Sequence, residues 1–203
     1  MRPALPAGLY GMADAGFGDP VALGCMLAEA GCRVIQLRAK GWSEADLRAA
    51  AAALLPPLRA RGCLLILNDH PALAAAVGAD GAHIGQDDGR AAEARAMLGP
   101  ARLLGLSTHT PQQVDAAQGV ADYIGFGPVF GTQTKATGYA PRGVGALAEA
   151  ATRSAIPVVA IGGITTANLP DVRGSGAHCW AVVSAILRAP SPPEAVRLFL
   201  SIE

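Results

Sequence analysis

Charge is scarce in this chain and evenly balanced: Lys+Arg 16 and Asp+Glu 16 give a formal net charge of zero, and charged residues make up 16% of the total. That balance excludes the global basic field that would hold nucleic acid or an anionic membrane surface. Long apolar runs are missing too. No stretch approaches the roughly 20 consecutive apolar residues of a membrane span. The opening MRPALPAGLYGMADAG lacks the charged start and extended apolar core of a secretory leader. A soluble, cytoplasmic protein is therefore expected. Cysteine is sparse, at Cys25, Cys32, Cys63 and Cys179, with spacings that fit no paired zinc-ligand pattern. Small buried thiols are the expectation, rather than disulfides or metal ligands.

What is present is 51% hydrophobic residues punctuated by 25 Gly and 15 Pro. A length of 203 residues suits one domain, 1–203, which can bury roughly 70% of its unfolded surface without a staple. Short apolar runs bounded by turn residues occur at Leu9–Ala13, Arg33–Leu37, Cys63–Leu67, Gly81–Gly85, Leu103–Ser107, Tyr123–Gly127, Pro157–Gly162 and Trp180–Ser184. Runs of this kind suit strands buried on both faces of a parallel sheet. Ala-rich segments with helical spacing separate them, such as Glu44–Arg61, Pro71–Val77, Ala91–Leu98, Pro111–Gln118, Gly145–Ser154 and Thr166–Gly174, with a last one from Glu194. Ser43, Thr110 and, ahead of Asn168, Thr165 stand where helix-start side chains belong. Eight strand–helix units of about 25 residues predict a single (β/α)8 TIM barrel, with a doubly wound open sheet as the alternative. The segment Pro128–Arg142 is too long and polar for a minimal connection, which marks it as a functional or mobile loop.

Polar residues gather at the strand ends, where barrel enzymes keep their chemistry. Alternation turns Gln36, Arg38 and Lys40 to one side, as an anion clamp or as a solvated strand end. Asn68-Asp69 and the Asp87-Asp88 pair after His83-Ile84-Gly85-Gln86 offer carboxylates that can share Mg²⁺ with a phosphorylated substrate. Taken singly, each also serves as a turn or helix cap. His83 reads as an acid–base group or as a hydrogen-bonded core histidine. Ser107-Thr108-His109-Thr110 can hold phosphate oxygens or cap a helix, and no nucleophile elbow surrounds the serine. Thr132-Gln133-Thr134-Lys135 adds hydroxyls and a cation. Gly162-Gly163 after the seventh strand, with a helix start near Ser184 after the eighth, matches a common barrel phosphate site. The residues thus point to a barrel enzyme for phosphorylated small molecules, dependent on Mg²⁺.

In this order and spacing the motifs resemble the thiamine phosphate synthase family, from about Leu9 to Leu198. The most specific pieces are Gln36–Lys40, Asn68-Asp69, His83–Gln86 with Asp88, Ser107–His109, Gly127–Phe130 with Thr132–Lys135, Gly162–Ile164 and Val182–Ile186. The resemblance implies a transferase that joins 4-amino-2-methyl-5-pyrimidinylmethyl diphosphate to a thiazole phosphate, releasing diphosphate. It implies that Gln36, Arg38, Lys40 and Asn68 hold the pyrimidine diphosphate, that Ser107 and Lys135 complete its diphosphate site, and that Asp69 and Asp88 bind Mg²⁺. Arg38, Lys40, Ser107 and Lys135 would carry the chemistry. Thr132, Thr134, Gly163, Val183 and Ser184 would bind the thiazole phosphate, with the loop around 131–138 closing over both substrates. Small-molecule phosphorylated pyrimidine and thiazole substrates are the expected partners, with no nucleic acid or membrane, and a homo-oligomer is an open expectation.

Some positions depart from the family pattern. Ala39 replaces a frequent acidic residue, His70 follows Asp69, and His178-Cys179-Trp180 stands where Ala-Asp-Gly is common. Within the superfamily the rival is a thiazole tautomerase, with a histidine at the position of His109. Outside it, a non-catalytic barrel that binds a phosphorylated ligand would need neither Asp69 nor Asp88.

Overall fold

A computed structural model describes residues 2–86, 90–132 and 138–202. Eight parallel strands close into a barrel in sequence order: β1 (Gly8–Asp14), β2 (Val34–Arg38), β3 (Leu64–Asn68), β4 (Gly81–Ile84), β5 (Leu103–Thr108), β6 (Tyr123–Phe126), β7 (Val158–Ile161) and β8 (Cys179–Val182). The helices are α1 (Pro20–Glu29), α2 (Glu44–Ala60), α3 (Pro71–Val77), α4 (Ala91–Leu98), α5 (Pro111–Ala117), α6 (Gly143–Arg153), α7 (Leu169–Gly174), α8 (Ser184–Leu187) and α9 (Pro192–Ser201). The expected barrel is the observed one, and the open sheet is excluded. Among the described residues no helix is long and apolar enough to cross a membrane.

Helix α2 illustrates the local logic. Ser43 caps it by accepting from the Asp46 N–H, and Leu47, Ala50, Ala51, Leu54, Leu55 and Leu58 recur on the face it buries. Each fully buried leucine there contributes roughly 1.5–3 kcal/mol of transfer free energy. Thr110 caps α5 through the Gln113 N–H, as its position predicted. Helix α7 starts at Leu169 rather than Thr166, because Asn168 turns back to accept from the Thr165 N–H. Ser184 opens α8 and does not belong to the eighth strand.

Apolar residues divide into two layers. One packs the outside of the barrel against the helices. The other fills the interior with Tyr10, Met12, Val34, Ile66, Leu103, Tyr123, Val159, Cys179 and Ala181, closed at the bottom by Leu5. The unusual His178-Cys179-Trp180 fastens that closure. His178 Nε2 donates to the Leu5 carbonyl at 2.9 Å and Cys179 Sγ to the Pro6 carbonyl at 3.0 Å. Trp180 points the other way into the helix layer, with the Arg173 guanidinium 5.8 Å from its ring.

Candidate active site

Strand register decides which side chains reach the barrel mouth. Asp14 pairs with Arg38, Gln36 with Ile66, Asn68 with His83, and Ser107 with Gly125. Neighbours in register share a face, so Asp14, Gln36, Arg38, Asn68, His83 and Ser107 all point inward. At the C-terminal ends of the strands lies an open cleft lined by Arg38, Ser107, Thr132, Gly163, Val183 and Ser184. A second cleft is lined by Lys40, Asn68 and Asp69. Gln36 lies beneath this surface and is buried. Asp88, Thr134 and Lys135 lie outside the described residues, within the segments 87–89 and 133–137.

Arg38 is held by a residue the sequence reading passed over. Its Nη1 lies 2.5 Å from Asp14 Oδ2, with both side chains largely buried. Asp14 also accepts from the Gly16 N–H, which fixes its carboxylate. Arg38 keeps further N–H groups for a ligand. The position of Asp14, two after Met12 on the inward face of β1, was the available signal.

The Asn68-Asp69 turn has special geometry. Asp69 has φ +62°, the left-handed region, and is the one non-glycine residue there among those described. Its N–H donates to the His83 carbonyl at 2.8 Å, which ties the turn to β4. Asn68 Nδ2 donates to Asp69 Oδ2 at 2.5 Å, and Lys40 Nζ lies 3.9 Å from the same oxygen. Strained backbone of this kind is kept where a side chain must be aimed. A fixed carboxylate bearing hard oxygen donors beside Lys40 fits a cation that takes one or two carboxylates and completes its shell with water and phosphate. Among the described residues no three His, Cys, Asp or Glu side chains gather as a metal cluster.

The turn after β7 is built from glycine. Gly162 and Gly163 have φ +102° and +65°. A Cβ on Gly163 would stand 2.5 Å from the Gly131 carbonyl oxygen and 2.8 Å from Phe130 Cβ. The start of the long loop lies against this turn, with the Val129 N–H donating to Ile161 at 2.8 Å and the Phe130 N–H to Gly162 at 2.9 Å. The other end returns to the same place: the Arg142 and Gly143 N–H groups donate to Pro128 and Val129. His109 donates from Nδ1 to the Gly127 carbonyl at 2.6 Å and stacks on Tyr139 with ring centroids 4.0 Å apart.

Below the cleft a chain of hydrogen bonds crosses the barrel interior. Gln36 Nε2 donates to the Tyr10 hydroxyl (2.9 Å), which lies 2.9 Å from the Tyr123 hydroxyl. Tyr123 is 3.3 Å from His83 Nδ1, and His83 Nε2 is 3.0 Å from Ser107 Oγ. Burial raises the phenol pKa of both tyrosines far above the ordinary value, so both stay protonated. Gly105 makes the chain possible, since a Cβ there would collide with both Tyr123 and His83. Sequence reading named Gln36, His83 and Ser107 but neither tyrosine.

Closed parallel barrel, cleft at the carboxyl ends of the strands, half-buried arginine and a doubled glycine after β7 together define a (β/α)8 barrel of the enzyme type, with its candidate site at the strand ends. Residues 15–186 match the family described as thiamine monophosphate synthase. A thiamine-phosphate synthase of Chlorobium luteolum is 44% identical over 173 residues, covering 85% of this chain and 82% of that one. One from Myxococcus xanthus is 40% identical over 200 residues, covering 97% and 92%. The structure of a thiamine phosphate pyrophosphorylase from Pyrococcus furiosus superposes with a TM-score of 0.89 at 28% identity, over 97% of this chain and 95% of that one. The chain belongs to the thiamine monophosphate synthase family.

Proposed function

We propose that the protein couples 4-amino-2-methyl-5-pyrimidinylmethyl diphosphate to 4-methyl-5-(2-phosphoethyl)thiazole, forming thiamine phosphate and diphosphate. The reading rests most heavily on the gathering of Arg38, Ser107, Thr132, Gly163, Val183 and Ser184 around one cleft, with Lys40, Asn68 and Asp69 beside it. Diphosphate leaves only when its charge is neutralised, and Arg38, Lys40 and Lys135 are the cations assigned to it, with Gln36, Asn68 and Ser107 orienting the same substrate. Asp69 and Asp88 would hold Mg²⁺, which supplies further charge neutralisation when bound. Departure of diphosphate leaves a methylene cation stabilised by the aminopyrimidine ring, and the thiazole nitrogen adds to it. No protein nucleophile or strong base is required.

The second substrate's phosphate is assigned to Gly163, Val183 and Ser184; at Gly163 positive φ and the absence of a Cβ let backbone N–H groups approach an anion. Thr132 and Thr134 would hold the rest of the thiazole phosphate. Closure of the segment after Gly131 over the substrates would keep water from the cation; residues 133–137 of that segment lie outside the described ones. The Asp88→Ala variant tests the assignment. It should lose Mg²⁺-dependent coupling while its thermal transition stays in place, and undiminished synthesis would count against the reading.

A further inference from the structure

Ser107 stands at the end of the buried chain, and the direction of every bond in that chain can be worked out. Gln36 Nε2 is a donor only, so the Tyr10 oxygen accepts from it. The Tyr10 proton is buried, and the Tyr123 oxygen is the acceptor within reach. Tyr123 must then spend its own proton on His83 Nδ1, since a buried hydroxyl left unpaired is costly. A histidine that accepts at Nδ1 carries its proton on Nε2, which donates to Ser107 Oγ. The Ser107 oxygen thereby accepts one hydrogen bond, and its own proton, which has no acceptor in an Nε2–H, is available to the cleft that the residue lines.

We propose that Tyr10, Tyr123 and His83 are positioning residues that hold the Ser107 hydroxyl as a dedicated hydrogen-bond donor to the pyrimidine diphosphate. Without them a serine hydroxyl rotates freely and can donate or accept. With them it selects an acceptor atom, and both a phosphoryl oxygen and an unprotonated ring nitrogen of that substrate qualify. Histidine is set here by its tautomer and acts through Ser107, with no proton transfer of its own. Glycine at 105 and 125 leaves the space that the His83 ring occupies. This inference rests on the synthase reading for the identity of the ligand, but not for the direction of the chain.

Two measurements test it. Nitrogen-15 NMR of histidine-labelled, ligand-free protein at pH 8, with His83 assigned by its loss in His83→Gln, should show Nδ1 bare and Nε2 protonated. A proton on Nδ1 overturns the proposal. In the coupling assay, Tyr123→Phe and Ser107→Ala should each raise the KM for the pyrimidine diphosphate about tenfold, the scale of one hydrogen bond to a charged or buried partner. The double variant should be no worse than Ser107→Ala alone, and His83→Gln, which keeps an N–H donor, should lose less than His83→Ala. Multiplying losses in the double variant would mean that the tyrosine acts on structure and not through Ser107. Weaker product inhibition by diphosphate in Ser107→Ala identifies the acceptor as a phosphoryl oxygen; unchanged inhibition identifies the ring nitrogen. If wild type forms no thiamine phosphate, the synthase reading fails while the NMR result still decides the chain.

Discussion

The Arg38 guanidinium sits 2.5 Å from the Asp14 carboxylate at the mouth of the barrel, with the two side chains 17% and 7% exposed. At that burial the pair is no surface salt bridge, and removing one partner strands the other. Asp14→Ala should therefore cost about 2–3 kcal/mol in urea unfolding and should raise the KM for the pyrimidine diphosphate, because Arg38 is no longer aimed. Asp14→Asn, which keeps the shape, should lose less of both.

Gly163 is fixed by its φ of +65° and by the Gly131 carbonyl and Phe130 side chain against it. Gly163→Ala combines left-handed strain with overpacking, together about 2–4 kcal/mol. The expected result is a lower urea midpoint and a raised KM for the thiazole phosphate, with a smaller change for the pyrimidine diphosphate. An equal rise for both substrates would remove Gly163 from the thiazole-phosphate site.

The thiols make a separate prediction. Burial pushes Cys32 up to about 12, Cys63 up to about 11 and Cys179 up to about 12, while Cys25 is half-buried and all four are free. Thiolate is the reactive form. Ellman's reagent at pH 8 should titrate no more than Cys25 in the native protein and all four cysteines in guanidinium.

Lys135 belongs to the reading of the leaving group. Lys135→Ala should lower kcat by about 100-fold, the scale of one lost charge-stabilising contact, with the KM for the thiazole phosphate nearly unchanged. A change confined to thiazole-phosphate binding would move Lys135 to the other substrate.

Much of this architecture was legible in the sequence because a parallel barrel repeats one local pattern. Each strand is a short apolar run; alternation turned Gln36, Arg38 and Lys40 to one side, and Asn68 and Ser107 fell at strand ends, before any contact was known. Capping at Ser43 and Thr110 was equally local. Tyr10 and Tyr123 were not legible, since they stand 113 residues apart and meet only when the barrel closes. Asp14 escaped because it lies one residue past the apolar run Leu9–Ala13, where a carboxylate looks like the start of a loop. His83 was readable in two ways, and the hydrogen bonds on both its ring nitrogens favour the core histidine over the acid–base group.

The central claim is the coupling reaction itself. Purified protein incubated with 4-amino-2-methyl-5-pyrimidinylmethyl diphosphate and the thiazole phosphate, with and without Mg²⁺, should yield thiamine phosphate and diphosphate in equal amounts, and only when the metal is present. Absence of both products from folded protein that instead isomerises a thiazole carboxylate phosphate would contradict the account and assign the barrel to tautomerase chemistry.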